Sequence, residues 1–321
     1  MLPIIDMNVI DYYDGDYVRL DRNHIRPVED ELTRMYGGWR TFLCNSGQEA
    51  AATLLDILQP NTVIVDSGTY FEIYDWLCYK GANIIQLSDV GKLSDLTEAL
   101  VHAKGVTLVI ISNPTIFAKW YDVSTLASVV HEHGGILAVD NSIVSLYYSN
   151  PIKNGADVCI ESYTKYVCGY GDTMVGGLCF SNSMQFLEQK TLRIEDIMSL
   201  RGNCVSPEKA YMVSCGLQTL ACRMATHTNG AGYICSKFKE AGVEYLWSGC
   251  GGVIVLPNKP KDICKKLKLF KTAETFGCTY SIADFFKGKE CYTLRLYVRL
   301  SIGLENPHDL WEDIKQALDL G

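Results

Sequence analysis

Four stretches of the chain hold side chains that could do chemistry. In Gly-Gly-Ile-Leu-Ala-Val-Asp, Asp140 closes an otherwise apolar run. A carboxylate there needs a donor or a cation, because an unpaired buried charge is costly. It either caps the following turn or pairs with a buried cation. One strand–helix excursion later, Ser162-Tyr163-Thr164-Lys165 directly follows Ala-Asp-Val-Cys-Ile-Glu. A lysine on a strand end is commonly just solvated. In a closed pocket it loses basicity and becomes an amine nucleophile, and the two hydroxyls beside it suit a phosphate. Asn45-Ser46-Gly47-Gln48 precedes a helical pattern. A Ser-Gly turn there is either a plain helix cap or an anion site built from free N–H groups. Arg299 sits inside Leu-Arg-Leu-Tyr-Val-Arg-Leu-Ser-Ile-Gly. Burying a guanidinium there requires an anion, from the protein or from a substrate carboxylate. Strand alternation puts Arg295, Tyr297 and Arg299 on one face, so a salt-bridged surface also satisfies the pattern.

A phosphate cradle, an acid, a lysine and a substrate-facing arginine are what pyridoxal 5′-phosphate requires. Its aldehyde condenses with a lysine, its pyridine nitrogen pairs with an acid, and its amino-acid substrates carry a carboxylate. The elements that must position these groups are legible. Short β-branched runs at 63–67, 83–87, 106–112, 135–142, 156–162 and 175–181 read as strands buried on both faces. Helical patterns at 47–58, 70–80, 92–103 and 123–133 lie between them. This alternation predicts an α/β fold, a mostly parallel sheet flanked by helices, with ligands at the strand ends. After residue 183 the pattern changes to a long helix over 206–241, opened by Ser206-Pro207. A strand in Gly-Gly-Val-Ile-Val-Leu-Pro, further helix, the strand holding Arg299 and a last helix from Asn306-Pro307 follow. The expected division is an N-terminal arm over 1–34, a large cofactor-binding domain over 35–225 and a smaller C-terminal α+β domain over 226–321.

Composition narrows the class. With 321 residues, 48% hydrophobic and 21% charged, the chain is neither collagenous, coiled-coil nor disordered. A net charge of −8 argues against nucleic acid or anionic lipid as partner. No apolar run is long enough to suggest a membrane span, and the start lacks the basic n-region of a signal peptide. The 13 cysteines form no CxxC pair and lie in apolar stretches, such as Cys159, Cys179 and Cys215. Buried free thiols in a reducing cytoplasm are the economical reading. Cys168, close to Lys165, is either a packed thiol or a reactive one. His131 and His133 do not share a helix face, which leaves a metal role little support.

At these residues the chain resembles a known family. The segment VVHEHGGILAVDNSIVSLYYSNPIKNGADVCIESYTKYVCGYGDTMVGG is similar to the core of the Cys/Met-metabolism, or trans-sulfuration, family of pyridoxal-phosphate enzymes. That family includes cystathionine γ-synthase, cystathionine γ- and β-lyases, methionine γ-lyase and O-acetylhomoserine sulfhydrylase. SPEKAYMVSCGLQTLACR and the terminal RLSIGLENPHDLWEDIKQAL resemble the same family, and the likeness runs from about residue 17 to the end. It implies a fold-type I PLP-dependent transferase architecture, pyridoxal 5'-phosphate as cofactor, and lyase or replacement chemistry at Cβ or Cγ of a small amino-acid substrate. Lys165 would carry the cofactor as a Schiff base and Asp140 would pair with its ring nitrogen. Ser162, Thr164 and the backbone of Gly47 and Gln48 would hold the phosphate, and Asn113 would lie near the phenolic oxygen. Arg299 would clamp the substrate α-carboxylate, with Thr275 of Ala-Glu-Thr-Phe-Gly-Cys beside it. Tyr17 and Arg19, in YVRLDRNHIRPVEDEL, would reach the phosphate of a neighbouring subunit. The resemblance thus implies a homodimer or homotetramer with shared active sites.

Two departures stand out. The family's Tyr-Gly-Gly segment, whose tyrosine stacks on the ring and moves protons, corresponds here to VDSGTYFEIYDW. The tyrosine position falls near Asp66 or Ser67, and Tyr70 is the candidate replacement, catalytic together with Lys165. The chain is also shorter than typical members around GVEYLWSGCGG and in parts of the small domain, where the family builds its substrate pocket. An aminotransferase, a racemase or epimerase, or a non-catalytic binding descendant are the alternatives; product analysis separates elimination from amino transfer, and an activity assay settles the last.

Overall fold

The computed structural model of the chain describes Tyr17 and residues 22–190, 192–290 and 293–320. The first part of the chain contains α1 (Arg26–Tyr36), β1 (Arg40–Cys44), α2 (Gly47–Leu58), β2 (Thr62–Asp66), α3 (Phe71–Tyr79), β3 (Ile84–Leu87) and α4 (Leu93–His102). It continues with β4 (Thr107–Ser112), α5 (Val123–Glu132), β5 (Ile136–Asp140), a short α6 (Ser145–Tyr148), β6 (Val158–Glu161), β7 (Gly176–Phe180) and α7 (Ile194–Leu200). The long α8 (Pro207–Glu240) leads into β8 (Leu246–Trp247), β9 (Val253–Pro257), α9 (Ile263–Lys266), β10 (Lys271–Thr272), β11 (Ile282–Glu290), β12 (Thr293–Ser301) and α10 (Pro307–Ala317).

The expected mostly parallel sheet is present, seven-stranded, in the order β1-β7-β6-β5-β4-β2-β3. Only β7 runs against its neighbours. Its central strands are apolar throughout because each face has its own cover. On β4, Leu108 and Ile110 pack with Ala51 and Leu54 of α2. The alternate Val109 and Ile111 pack with Leu100 of α4 and Leu126 of α5. This period of two explains why no polar residue interrupts the strand. Shared strand direction brings the C-terminal residues Cys44, Asp66, Ser112, Asp140 and Glu161 to one end of the sheet. In open α/β sheets that end receives the ligand.

Several elements escape the sequence pattern, β1 and α7 among them, and two of these bear on the site. Residues 26–36 form α1, which buries Val28, Leu32 and Tyr36 against Leu43 of β1 and Ala210 and Val213 of α8. β11 pairs antiparallel with β12 and completes a second sheet of order β10-β11-β12-β9-β8. One face of that sheet, with Ile254, Val298 and Leu300, packs on Phe238 of α8 and Leu310 of α10. The other face carries Val255 and Tyr297, which join Tyr166 and Val167 in the cluster between the two sheets. Arg299, two residues from Tyr297, shares that face.

Candidate active site

The start of α2 is built as an anion cradle. Ser46 caps the helix, its Oγ accepting from Glu49 N at 3.0 Å. A Cβ on Gly47 would stand 2.7 Å from Ser162 Cβ and 3.1 Å from Ser162 Oγ, so glycine is needed for this close approach. The Ser162 hydroxyl therefore lies against the first turn of α2, where the helix dipole favours an anion. The Gln48 side chain is turned away, its Nε2 donating to Glu72 O at 3.0 Å. Thr164 is engaged by the backbone of Val175. Its Oγ1 donates to Val175 O and accepts from Val175 N, both at 3.0 Å, and so ties the start of β7 to the lysine turn.

Asp140 ends β5 in the buried interior. Its Oδ1 accepts from Ser142 N at 3.0 Å and Ser142 Oγ at 2.6 Å. Its Oδ2 receives Ser112 Oγ at the longer distance of 3.2 Å. Burial pushes the carboxyl up from the usual range, while these donors and the charge of Lys165 oppose it. Ser142 also accepts from Ser162 N at 2.8 Å, which couples the acid to Ser162.

Lys165 is presented on a turn anchored by the fully buried Tyr163 and Tyr166. The Tyr166 hydroxyl accepts from Gly252 N at 2.8 Å. The lysine Nζ donates to Thr275 Oγ1 at 2.8 Å and lies 4.9 Å from the centre of the Phe276 ring. The next residue of that loop, Gly277, has φ +79°, and a Cβ there would come 2.9 Å from Tyr166 N. Burial, then the nearby Arg299 charge, lower the lysine to about 8, with Asp140 and Asp284 acting the other way.

Arg299 is held across the strand pair by Asp284, its registered partner on β11. Nε donates to Oδ1 at 3.1 Å and Nη2 to Oδ2 at 2.6 Å. Phe276 and Phe286 flank the guanidinium at 5.1 and 5.8 Å. Of the two anion sources open from sequence, the protein itself provides one. The pair leaves a substrate-side role open, since a guanidinium fork has more than one edge.

The remaining expected residues are distributed less simply. Asn113 is buried with both ends of its amide engaged by the Tyr121 backbone, Oδ1 accepting from N at 2.8 Å and Nδ2 donating to O at 3.1 Å. It shapes the loop after β4. Tyr70 donates its backbone N–H to Ser112 Oγ at 3.1 Å and packs against Phe71. Burial and Glu72 push its hydroxyl well up, and the charges of Arg299 and Asp140 both reach it. Tyr17 is an exposed bridge residue, and Arg19 lies outside the described residues. Cys168 is buried, and burial pushes its thiol up to about 12, which makes it a packed thiol. The residues missed from sequence are Ser112, Ser142, Asp284 and Phe276. Ser142 has a visible signal, an Asp-x-Ser spacing at a strand end. Asp284 has none without knowledge of the β11–β12 pairing.

The groups present fit pyridoxal phosphate. The cradle at Gly47 would be filled by any larger residue, Asp140 Oδ2 keeps acceptor capacity beyond its one long bond, and the Lys165 amine is buried and weakened as a base. Comparison with known proteins agrees. The model of the family described as Cys/Met metabolism PLP-dependent enzyme matches residues 10–244. A cystathionine gamma-lyase of Dictyostelium discoideum is 30% identical over 72% of this chain and 67% of its own length. A Lactococcus lactis subsp. cremoris cystathionine beta-lyase is 26% identical over 95% of this chain and 88% of its own. For the Sus scrofa cystathionine gamma-lyase, 32% identical over 70% of this chain, the match spans 63% of the relative. A solved methionine gamma lyase from Micromonospora echinospora superposes with a TM-score of 0.84 over 98% of this chain and 93% of that one, at 24% identity, and shares the fold. With the cradle, the acid and the lysine assembled at one sheet end, the chain belongs to the Cys/Met metabolism family of PLP-dependent enzymes.

Proposed function

We propose that the chain is a PLP-dependent carbon–sulfur lyase, or a related replacement enzyme, acting at Cβ or Cγ of a small sulfur-bearing amino acid. The observation that carries this reading is the buried Lys165 amine, fixed at 2.8 Å by Thr275, with Asp140 and Arg299 among its charged neighbours. Ser162 and the first N–H groups of α2 would hold the phosphate, Asp140 the ring nitrogen, and Lys165 the aldehyde carbon. Bound pyridoxal phosphate supplies an electron-withdrawing ring for an amino acid condensed with it. Burial raises Asp140, and the hydrogen bonds from Ser142 and Ser112 work against that rise; as an anion it would hold a proton on the ring nitrogen. With Lys165 at about 8, roughly one amine in ten is neutral at pH 7, against well under one in a thousand for free lysine. Nζ can therefore take a proton from Cα and return it elsewhere. Thr275 fixes where Nζ stands, and Phe276 keeps water from the face it covers. Arg299 orients the α-carboxylate through paired N–H donors. The Tyr70 hydroxyl, pushed up by burial, keeps its proton and serves as a donor to a departing group.

The relatives' names include both β- and γ-lyases, which favours elimination over amino transfer. We extend the proposal to a cytosolic homodimer or homotetramer in which Tyr17 and Arg19 of an arm over 1–34 reach the phosphate of a neighbouring subunit, with domains over 35–225 and 226–321. Within the described residues no helix is long and apolar enough to cross a membrane. The test is a substrate panel of cystathionine, homocysteine, methionine, cysteine and O-acetylhomoserine, with and without an added thiol, read by mass spectrometry. Release of pyruvate or 2-oxobutyrate with ammonia is expected, and borohydride should fix the cofactor on the peptide containing Lys165. Conversion that requires a keto-acid acceptor, or a colourless protein that takes up no cofactor, overturns it.

A further inference from the structure

The guanidinium of Arg299 is gripped on one edge. Asp284 takes Nε and Nη2 with its two oxygens, at 3.1 and 2.6 Å, and Nη1 makes no hydrogen bond to the described residues. Two such bonds fix the plane of the fork, and the rings of Phe276 and Phe286 restrain it further. The carboxylate is the more deeply buried member, with its side chain 6% exposed against 18% for Arg299. Lys165 is a second cation in this space, and its charge and that of Arg299 act on each other. Without a carboxylate here, two like charges would face each other and the guanidinium would lose the two bonds that fix its plane.

We infer that Asp284 is a positioning residue, whose carboxylate locks the Nε–Nη2 edge of Arg299 so that the Nη1 end is presented to the carboxylate of an incoming amino acid. This rests on the reading of Arg299 as the carboxylate-binding group. A guanidinium offers its donors as a rigid fork with two usable edges, side-on and end-on. Asp284 occupies the side-on edge, so a second carboxylate can bind end-on with no exchange of partners. A competing latch, which the substrate must displace, would instead be expected to consume the donors needed for substrate.

The experiment compares L-alanine with ethylamine, the same amine without a carboxylate, by their spectral titration of the cofactor-loaded enzyme. Wild type should prefer L-alanine. Asp284→Asn, which keeps shape but removes the charge, should cut that preference roughly tenfold through weaker L-alanine binding; any effect of the lost charge on Lys165 falls on both amines alike and is read from ethylamine. Should D284N not fold, Asp284→Glu carries the same test, because its longer arm keeps an ion pair but moves the fork, and the preference should again fall. An unchanged or increased preference in the variant overturns the inference, an increase marking Asp284 as a competitor. Absence of any preference in wild type would instead remove the role given to Arg299, and Arg299→Met in parallel reports that failure separately.

Discussion

Replacing Glu161 by Gln should stabilise the protein, and by an amount that grows with pH. Glu161 ends β6 fully buried, with Tyr36 Oη donating to its Oε2 at 2.6 Å and Asn141 Nδ2 approaching at 3.4 Å. Burial, the largest influence, pushes this carboxyl from 4.5 to about 8, and the charge of Asp140 adds to it while the hydrogen bonds oppose it. The folded chain therefore keeps a proton that the unfolded chain releases. The stability is complete below the unfolded value, declines as pH rises from 4.5, and levels off above about 8. Across that window each step of one in pH costs about 1.4 kcal/mol, so the loss reaches ~3 kcal/mol at pH 7. Gln keeps the acceptor for Tyr36 and has no proton to lose. Thermal or urea unfolding of cofactor-loaded wild type and E161Q, at about pH 5.5 and about pH 7.5, should show the variant's advantage widening by ~2–3 kcal/mol. Parallel pH profiles, or an advantage that narrows as pH rises, would refute the reasoning.

Three further outcomes follow from the site. The rate at which cofactor-free protein captures pyridoxal phosphate should rise nearly tenfold per pH unit up to about 8 and then flatten, because the neutral Lys165 amine is the reacting form; stopped-flow absorbance measures it. Gly47→Ala places a Cβ 2.7 Å from Ser162 Cβ, and should weaken binding of pyridoxal phosphate by roughly tenfold or more while barely affecting unphosphorylated pyridoxal; equilibrium titration of both compares them. Ser142→Ala removes a donor to Asp140 and an acceptor for Ser162 N, and should cost about 1–2 kcal/mol in cofactor affinity, read by the same titration.

Much of the sheet could be read from sequence because its strands are buried on both faces. A run such as Thr-Leu-Val-Ile-Ile-Ser has no other economical reading when helical patterns lie on either side of it. β11 was illegible for the opposite reason. Ile282–Glu290 mixes Asp284, Lys287 and Gly288 into its apolar residues, and its strand character comes from pairing with β12. α1 carries few apolar positions and many charges, so as sequence it resembles an arm; Val28, Leu32 and Tyr36 find their cover only in β1 and α8. The same distinction governs the site. Asp140, Lys165 and Gly47 stand at element ends next to recognisable runs, and their neighbours in sequence give them away. Asp284 and Tyr36 matter through partners 15 and 125 residues away, and no local pattern encodes that.

Asp140 and Glu161 end neighbouring strands, and burial raises both carboxyls, but the groups that oppose the rise differ. Asp140 is registered with Ile160, so its side chain lies on the α2 face, where Ser142, Ser112 and the Lys165 charge support an anion. Glu161 is one residue further and points to the α1 face, where Tyr36 and Asn141 meet it and no cation among the described residues pairs with it. The carboxyl with the Lys165 charge near it and the one met only by neutral donors are thus separated by one step of the pleat. A slip of one residue between β5 and β6 would place Glu161 beside Asp140 on the same face. Two carboxylates sharing that space could not both ionise, and the proton retained by the pair would sit where a ring nitrogen needs an anion. The register at Asp140↔Ile160 is therefore as much a requirement of the chemistry as Asp140 itself.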